Sequence, residues 1–170
     1  VSGTGFNVVS SSCAEGAKCI KKDDNIDGLT TRGFVPRLGG HLILKSKKGS
    51  TAGTYFLYLM DSSGNTRGVV SWQGRGGEIE GKFMITDHHE GFFERPVGNY
   101  SIGAWDTIEV QYEGIGSCGV NEYRARINFG GWTSCFVMFG SGDVGILRFN
   151  YGNTSFSGDK DFWIDDITIQ

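Results

Sequence analysis

Phe162-Trp163-Ile164-Asp165-Asp166-Ile167-Thr168-Ile169-Gln170 reads as a β-strand, and the rest of the fold can be worked out from it. Apolar β-branched and aromatic residues dominate the stretch, and successive side chains of a strand point to opposite faces. On a regular strand Trp163, Asp165, Ile167 and Ile169 share one side, and Phe162, Ile164, Asp166 and Thr168 share the other. If Ile167 and Ile169 face a core, Asp165 faces it too. A buried carboxylate without a partner is costly, so it calls for backbone N–H groups, a cationic side chain or a metal. Calcium suits such a site, being hard, oxygen-seeking and tolerant of carbonyl ligands. The acidic turn Asp23-Asp24-Asn25-Ile26-Asp27 offers further oxygens through Asp23 and Asp27, without the glycine and distal glutamate of an EF-hand. The plain alternative is a hydrogen-bonded or arginine-paired aspartate beside a solvated acidic turn.

The same alternation recurs upstream. Strand-like segments lie at Gly5–Ser11, Lys18–Lys22, His41–Ser46, Gly53–Asp61, Gly68–Gln73 and Glu80–Thr86. Others follow at Thr107–Tyr112, Glu122–Asn128, Cys135–Phe139 and Gly145–Asn150, and with Phe162–Gln170 they make eleven. The linkers are rich in Gly, Ser and Asn, as in Asp61-Ser62-Ser63-Gly64-Asn65. Tyr123 to Trp132 reads as a strand entering a tight hairpin, with glycine supplying the positive φ. No window of twelve carries a helical stripe. The expectation is an all-β fold, a two-sheet antiparallel β-sandwich of jelly-roll type, formed by residues 1–170 as a single domain.

Composition agrees. Of 170 residues 28 are glycine, more than twice the usual ~7%. Twelve Phe, six Tyr and four Trp supply a core and argue against disorder. A net charge of −3 gives no electrostatic case for nucleic acid, and no apolar run approaches a ~20-residue membrane span. Cys13, Cys19, Cys118 and Cys135 form an even set without C-x-x-C spacing. Two local disulfides, Cys13 with Cys19 and Cys118 with Cys135, are the natural pairing among three connectivities. They point to an extracellular, secreted protein, and the sequons at Asn99 and Asn153 are compatible with that. The sequence opens at Val1 without a signal peptide, so a leader is absent, removed or supplied by a larger secreted parent.

Three stretches carry a family resemblance. Trp105-Asp106-Thr107-Ile108-Glu109-Val110-Gln111-Tyr112 resembles a "W-x-x-I-x-V" strand, and Tyr123 to Trp132 the "Y-x-x-x-I-N-G" hairpin that follows it. Phe162 to Ile169 resembles the closing "F-x-I-D-D-I-x-I" strand of concanavalin A-like lectin/glucanase sandwiches, of the laminin-G-like or polysaccharide-recognition kind. The likeness covers roughly the C-terminal two-fifths. It implies a jelly roll, a carbohydrate ligand and, at Asp165, the aspartate that holds a structural calcium in several such families. The departures concern catalysis. Laminarinase-type members carry E-x-D-x-E, whereas Glu78-Ile79-Glu80 lacks the third carboxylate. The Q-[IV]-H and Y-F-K-x-G strands of alginate-lyase members are missing, as are the motifs of small xylanase-type jelly rolls.

Three functions compete. A glycan-binding module needs an aromatic platform beside planar polar groups. Trp72-Gln73-Gly74-Arg75 combines a ring, an amide and a cation, and Phe92, Phe93 and Trp132 are aromatics near turns; core packing is the plain alternative for each. Lys45-Ser46-Lys47-Lys48 with Arg37 and His41 would favour an anionic glycan, or decorate a solvated hairpin. A polysaccharide lyase would use His88 or His89 as base, Arg95 against a substrate carboxylate and Tyr100 as acid; an exposed polar loop explains the same cluster. Glu78 and Glu80, at i and i+2 on a strand, would lie at a separation thinkable for an inverting glycosidase. The third function is an extracellular protein-binding adhesion domain. The reading carried forward is the calcium-stabilised binder of a polysaccharide or other glycan.

Overall fold

Glycine-punctuated alternation does become strand. The computed structural model describes residues 2–4, 6–10, 13–15, 18–22, 29–74, 77–89, 91–152 and 161–170. Asp23, Asp27, Arg75 and the Asn153 sequon therefore lie outside the described residues. Fourteen strands occur among the described residues: β1 (Ser2–Thr4), β2 (Phe6–Val9), β3 (Cys19–Lys22), β4 (Leu29–Arg37), β5 (Gly40–Lys48), β6 (Thr54–Met60) and β7 (Thr66–Trp72). They continue as β8 (Lys82–Asp87), β9 (Phe93–Asn99), β10 (Trp105–Tyr112), β11 (Glu122–Ile127), β12 (Phe136–Val137), β13 (Val144–Gly152) and β14 (Phe162–Ile169). Two antiparallel sheets of seven strands result. The first has the order β1-β4-β13-β6-β7-β8-β9, and the second β12-β11-β10-β5-β14-β3-β2. This is the expected sandwich, and no helix among the described residues is long and apolar enough to cross a membrane.

Each expected strand has a counterpart; β1, β4 and β9 are additional. Both longer additions hide behind breakers. β4 contains Gly33 and Pro36, and β9 contains Pro96 and Gly98 with the charged pair Glu94-Arg95. Proline is tolerated in β9 because that strand is a sheet edge, where one side of the backbone needs no ladder partner.

The core lies between the sheets. β5 alternates strictly, with Leu42 and Leu44 inward, and β10 and β11 contribute Ile108, Val110, Tyr112, Tyr123, Ala125 and Ile127. From the first sheet come Tyr55, Leu57, Leu59, Val70, Trp72, Phe83, Ile85, Leu147, Phe149 and Tyr151. Phe162 stacks on Tyr55 at 4.2 Å and meets Trp72 edge-on. Tyr123 bridges the layers: its hydroxyl donates to the Thr86 carbonyl and accepts from the Val69 amide.

β14 corrects the strand reading. Phe162 and Ile164 belong to the core, and so do Ile167 and Ile169 at its margin. Both sets face inward because the register with β5 shifts between Asp165 and Thr168. The extra residue is Asp166, exposed and at φ 49°. A bulge of this kind reverses which residues face the core beyond it. Asp165 therefore points outward with Trp163, opposite Lys45, and not into the core.

The hairpin after β11 also departs from expectation. Asn128 (φ 50°) and Phe129 (φ 58°) take the left-handed conformation, rather than Gly130 or Gly131. Asn128 suits that place because its side chain is held at both ends: Nδ2 donates to Asp106 at 2.6 Å, and Oδ1 accepts from the Thr107 amide at 2.8 Å. Two disulfides, Cys13–Cys19 and Cys118–Cys135, staple the second sheet, with Cα separations of 5.4 and 5.5 Å.

Candidate functional site

Because Tyr55, Leu57 and Leu59 of β6 point inward, Phe56 and Tyr58 must point outward. The same rule turns Val69 and Ser71 of β7, Thr86 of β8, and Arg148 and Asn150 of β13 to the outer face of the first sheet. Register lines them up: Arg148 is opposite Tyr58, Tyr58 opposite Val69, and Thr86 opposite Glu94. Two depressions open along this row. One, of about 370 Å³, is lined by Tyr58, Thr66, Arg148 and Asn150. The other, of about 300 Å³, is lined by Phe56, Tyr58, Val69, Thr86, Phe92 and Glu94. Tyr58 belongs to both, so the two adjoin at its ring and together make the grooved part of this face.

The groove has distinct ends. At the β9 end the Glu94 carboxylate accepts hydrogen bonds from Ser71 Oγ (3.2 Å) and from Gln73 Nε2. At the β13 end Arg148 Nε is buried and has no hydrogen-bond partner. Between them lie aromatic surfaces, and Phe92 stands 71% exposed at the rim. Such a surface offers rings for the apolar faces of sugars and separated polar groups for their hydroxyls.

Of the residues proposed from sequence, Phe92 lines this groove. Gln73 contributes only through its hold on Glu94, since it is fully buried. Trp72 is corrected outright: it is 1% exposed, packs against Phe83 and Phe162, and donates from Nε1 to Ser46 Oγ at 3.0 Å. A ring enclosed between two sheets cannot support a ligand. Phe93 and Arg95 lie on the side of β9 opposite Glu94, with the guanidinium 5.6 Å from the Phe93 ring. Trp132 lies on the other sheet, against Arg124, Arg126 and His41.

The lyase candidates do not converge. The His88 ring packs against Phe92 and Phe139, and burial lowers its pKa to about 4. Both its nitrogens are buried without partners. His89 is exposed, its amide donating to Asp87 Oδ1. Tyr100 is buried, donates to the Gln73 carbonyl at 2.8 Å, and has its pKa raised by burial. Glu78 and Glu80 sit in the turn before β8, not on a strand.

Around Asp165, the described residues do not fit a calcium site. Its Oδ2 accepts the amides of Ala14 (3.0 Å) and Glu15 (2.9 Å), and Oδ1 accepts that of Asp166 (2.9 Å). The carboxylate therefore anchors the Cys13–Cys19 loop to β14 through N–H donors, which a cation would have to displace. Elsewhere among the described residues, one group with ligand-type spacing is found, Cys118, Glu122 and Cys135, and its sulfurs are joined in a disulfide.

Sequence reasoning missed Phe56, Tyr58, Thr66, Arg148 and Asn150. The signal was present in the strands themselves. Phe56 and Tyr58, like Arg148 and Asn150, occupy alternate positions between core residues, so each pair had to share the outer face.

The shape of the whole chain has relatives. A sialidase structure superposes on 98% of this chain with a TM-score of 0.69 and 12% identity. The match takes in only 17% of that sialidase, so this chain corresponds to a small part of it. A tetrameric galectin from the ball sponge Cinachyrella sp. matches 83% of this chain and 98% of its own length, with a TM-score of 0.59 and 13% identity. Lactose- and MES-liganded congerin II matches 84% of this chain and 99% of its own, with a TM-score of 0.56 and 10% identity. No protein-family model and no curated protein sequence matches the chain. Similarity at these identities concerns the fold: the chain has the two-sheet jelly-roll sandwich that these galectins share, the architecture expected from its sequence.

Proposed function

We propose that the protein is a lectin-like module that binds a glycan outside the cell, in the groove on the outer face of the first sheet. The observation that carries this reading is the row of outward residues Arg148, Tyr58, Val69, Thr86 and Glu94, with Phe56 and Phe92 beside it. The row sets the Tyr58 ring between a cation at one end and a carboxylate at the other. Congerin II, which shares the fold, has been crystallised with lactose, and this lends the reading support without transferring that sugar to this chain. Two disulfides favour an oxidising compartment. Binding is preferred over hydrolysis because glycosidases generally need two carboxylates across the scissile bond, and Glu94 is the one carboxylate in the groove's described lining.

The test is a glycan array followed by titration of the best ligand against Tyr58→Ala. Removing the shared ring should weaken binding by roughly tenfold or more, the effect of losing one central aromatic anchor, while the melting temperature changes little. Unchanged affinity would move the site elsewhere on the molecule.

A further inference from the structure

We infer that the β13 end of the groove takes the negative charge of an acidic saccharide, with Arg148 as the group that selects it. The inference rests on the glycan-binding reading and goes beyond it to a ligand class.

Three other arginines of the described residues give guanidinium nitrogens to side-chain acceptors, although Arg67 Nε, like Arg148 Nε, is buried without a partner. Arg67 donates to the Glu113 carboxylate, Arg126 to Glu109 through two nitrogens, and Arg124 to Gln111 and Ser117. Arg148 has nothing comparable. Its Nε is buried without a partner, and among the described residues it joins no ion pair. The groove lining around it is Tyr58, Thr66 and Asn150, all uncharged. A half-buried cation among neutral neighbours is poorly compensated, and an arriving carboxylate or sulfate supplies the anionic oxygens that the planar guanidinium binds through charge-assisted hydrogen bonds.

Charge along the groove is also separated. Glu94 stands at the far end of the same row, four strand spacings away, or roughly 19 Å at ~4.8 Å per strand. It is too distant to neutralise Arg148 through water at physiological salt, and its oxygen is already engaged by Ser71 and Gln73. An acidic sugar is thus drawn to the β13 end, and the remaining units run over Tyr58 and Phe56 toward β9. Asn150 and Thr66 are placed to bind hydroxyl groups next to the charge.

The experiment compares binding of polygalacturonate, the same polymer fully methyl-esterified, a sulfated galactan and a neutral galactan. Wild type, Arg148→Gln, Arg148→Lys and Tyr58→Ala are each measured at low and physiological salt. The expected result is that wild type binds a charged polymer at least tenfold more tightly than its uncharged counterpart. Arg148→Gln should abolish that preference, Arg148→Lys should restore part of it, and added salt should weaken only the charged ligands. Preference for the sulfated over the carboxylated polymer would support the inference and assign the anion as sulfate. Equal affinity for charged and uncharged polymers, lost in Tyr58→Ala, would overturn the inference and leave the groove as a neutral-glycan site. A charge preference that survives Arg148→Gln would overturn it too, placing the anion on another cation. If none of the polymers binds, the inference is overturned, and an array without Tyr58-dependent hits would remove the glycan reading with it. Matching melting curves for wild type and Arg148→Gln establish that the comparison concerns binding and not folding.

Discussion

The outer faces of the two sheets carry similar residue types and use them in opposite ways. On the second sheet, charges are consumed internally. Glu109 is 3% exposed and holds Arg126 through both oxygens and His41 Nε2 at 2.9 Å. Trp132 is then laid over Arg124 and Arg126, at 4.7 and 4.5 Å. Lys45 pairs with Glu15, and Lys21 with Asp161. On the first sheet, Arg148 has no acceptor and Tyr58 stands between two open depressions. A face whose polar groups are mutually satisfied is built for stability. One that leaves a cation unmet beside open depressions is built for something that arrives.

If that division holds, the largest loss of stability should come from the second sheet. Glu109→Ala removes the partner of the partly buried Arg126 guanidinium and of His41 Nε2, and breaking such a buried network costs about 3 kcal/mol or more. Thermal or urea unfolding would register it directly, with glycan affinity per folded molecule unchanged. A loss below about 1 kcal/mol would mean that the Glu109 cluster is no more committed to the fold than Arg148 is.

A smaller effect separates inward from outward cations. Lys48 faces the core, donates to the Gly53 carbonyl at 2.6 Å, and lies 5.2 and 4.9 Å from the Tyr55 and Tyr100 rings. Burial lowers its pKa from the ordinary lysine value of 10.5 to about 7. Between those two values the unfolded chain holds the proton and the folded chain has released it, so stability rises with pH across the window. Each unit is worth about 1.4 kcal/mol at most, so moving from pH 7 to pH 9 should stabilise the protein by about 2 kcal/mol. The gain should vanish in Lys48→Met. A flat profile in the wild type would show that Lys48 keeps its proton, solvated or paired, as an outward lysine does.

The two faces were unequally legible in the sequence. Strand positions and the two-sheet sandwich followed from alternation, because apolar burial on a pleated sheet has a fixed period, and the closing strand added a resemblance to jelly-roll families. What alternation could not supply was phase beyond an irregularity. Asp166 at φ 49° resets the pattern, and so Asp165 was assigned to the wrong side. Local chemistry misled in the same way at Trp72. A ring beside glutamine, glycine and arginine looks like a platform, but Phe83 and Phe162, distant in sequence, close over it. The groove itself joins β13 to β6, residues some ninety positions apart, and no spacing rule connects Arg148 with Tyr58. Cysteine pairing was easier, because the short separations of 6 and 17 residues made local closure the simplest choice.

The smallest expected effect is the most discriminating. Arg148→Gln removes a charge that supports no hydrogen bond at Nε and no ion pair, so unfolding free energy should change by no more than about 0.5 kcal/mol. Its direction matters as much as its size. Poorly compensated guanidinium in a half-enclosed groove is a desolvation cost carried by the folded state, so a neutral amide of shorter reach should leave stability unchanged or slightly higher. Arg126→Gln on the opposite sheet makes the mirror experiment, since there the guanidinium partners a buried carboxylate and its loss should destabilise. Two arginine-to-glutamine changes on two faces of one sandwich would then move stability in opposite senses, or one would move it and the other not. If both destabilise alike, Arg148 is as structural as Arg126, and the contrast between a satisfied face and a receptive one is lost.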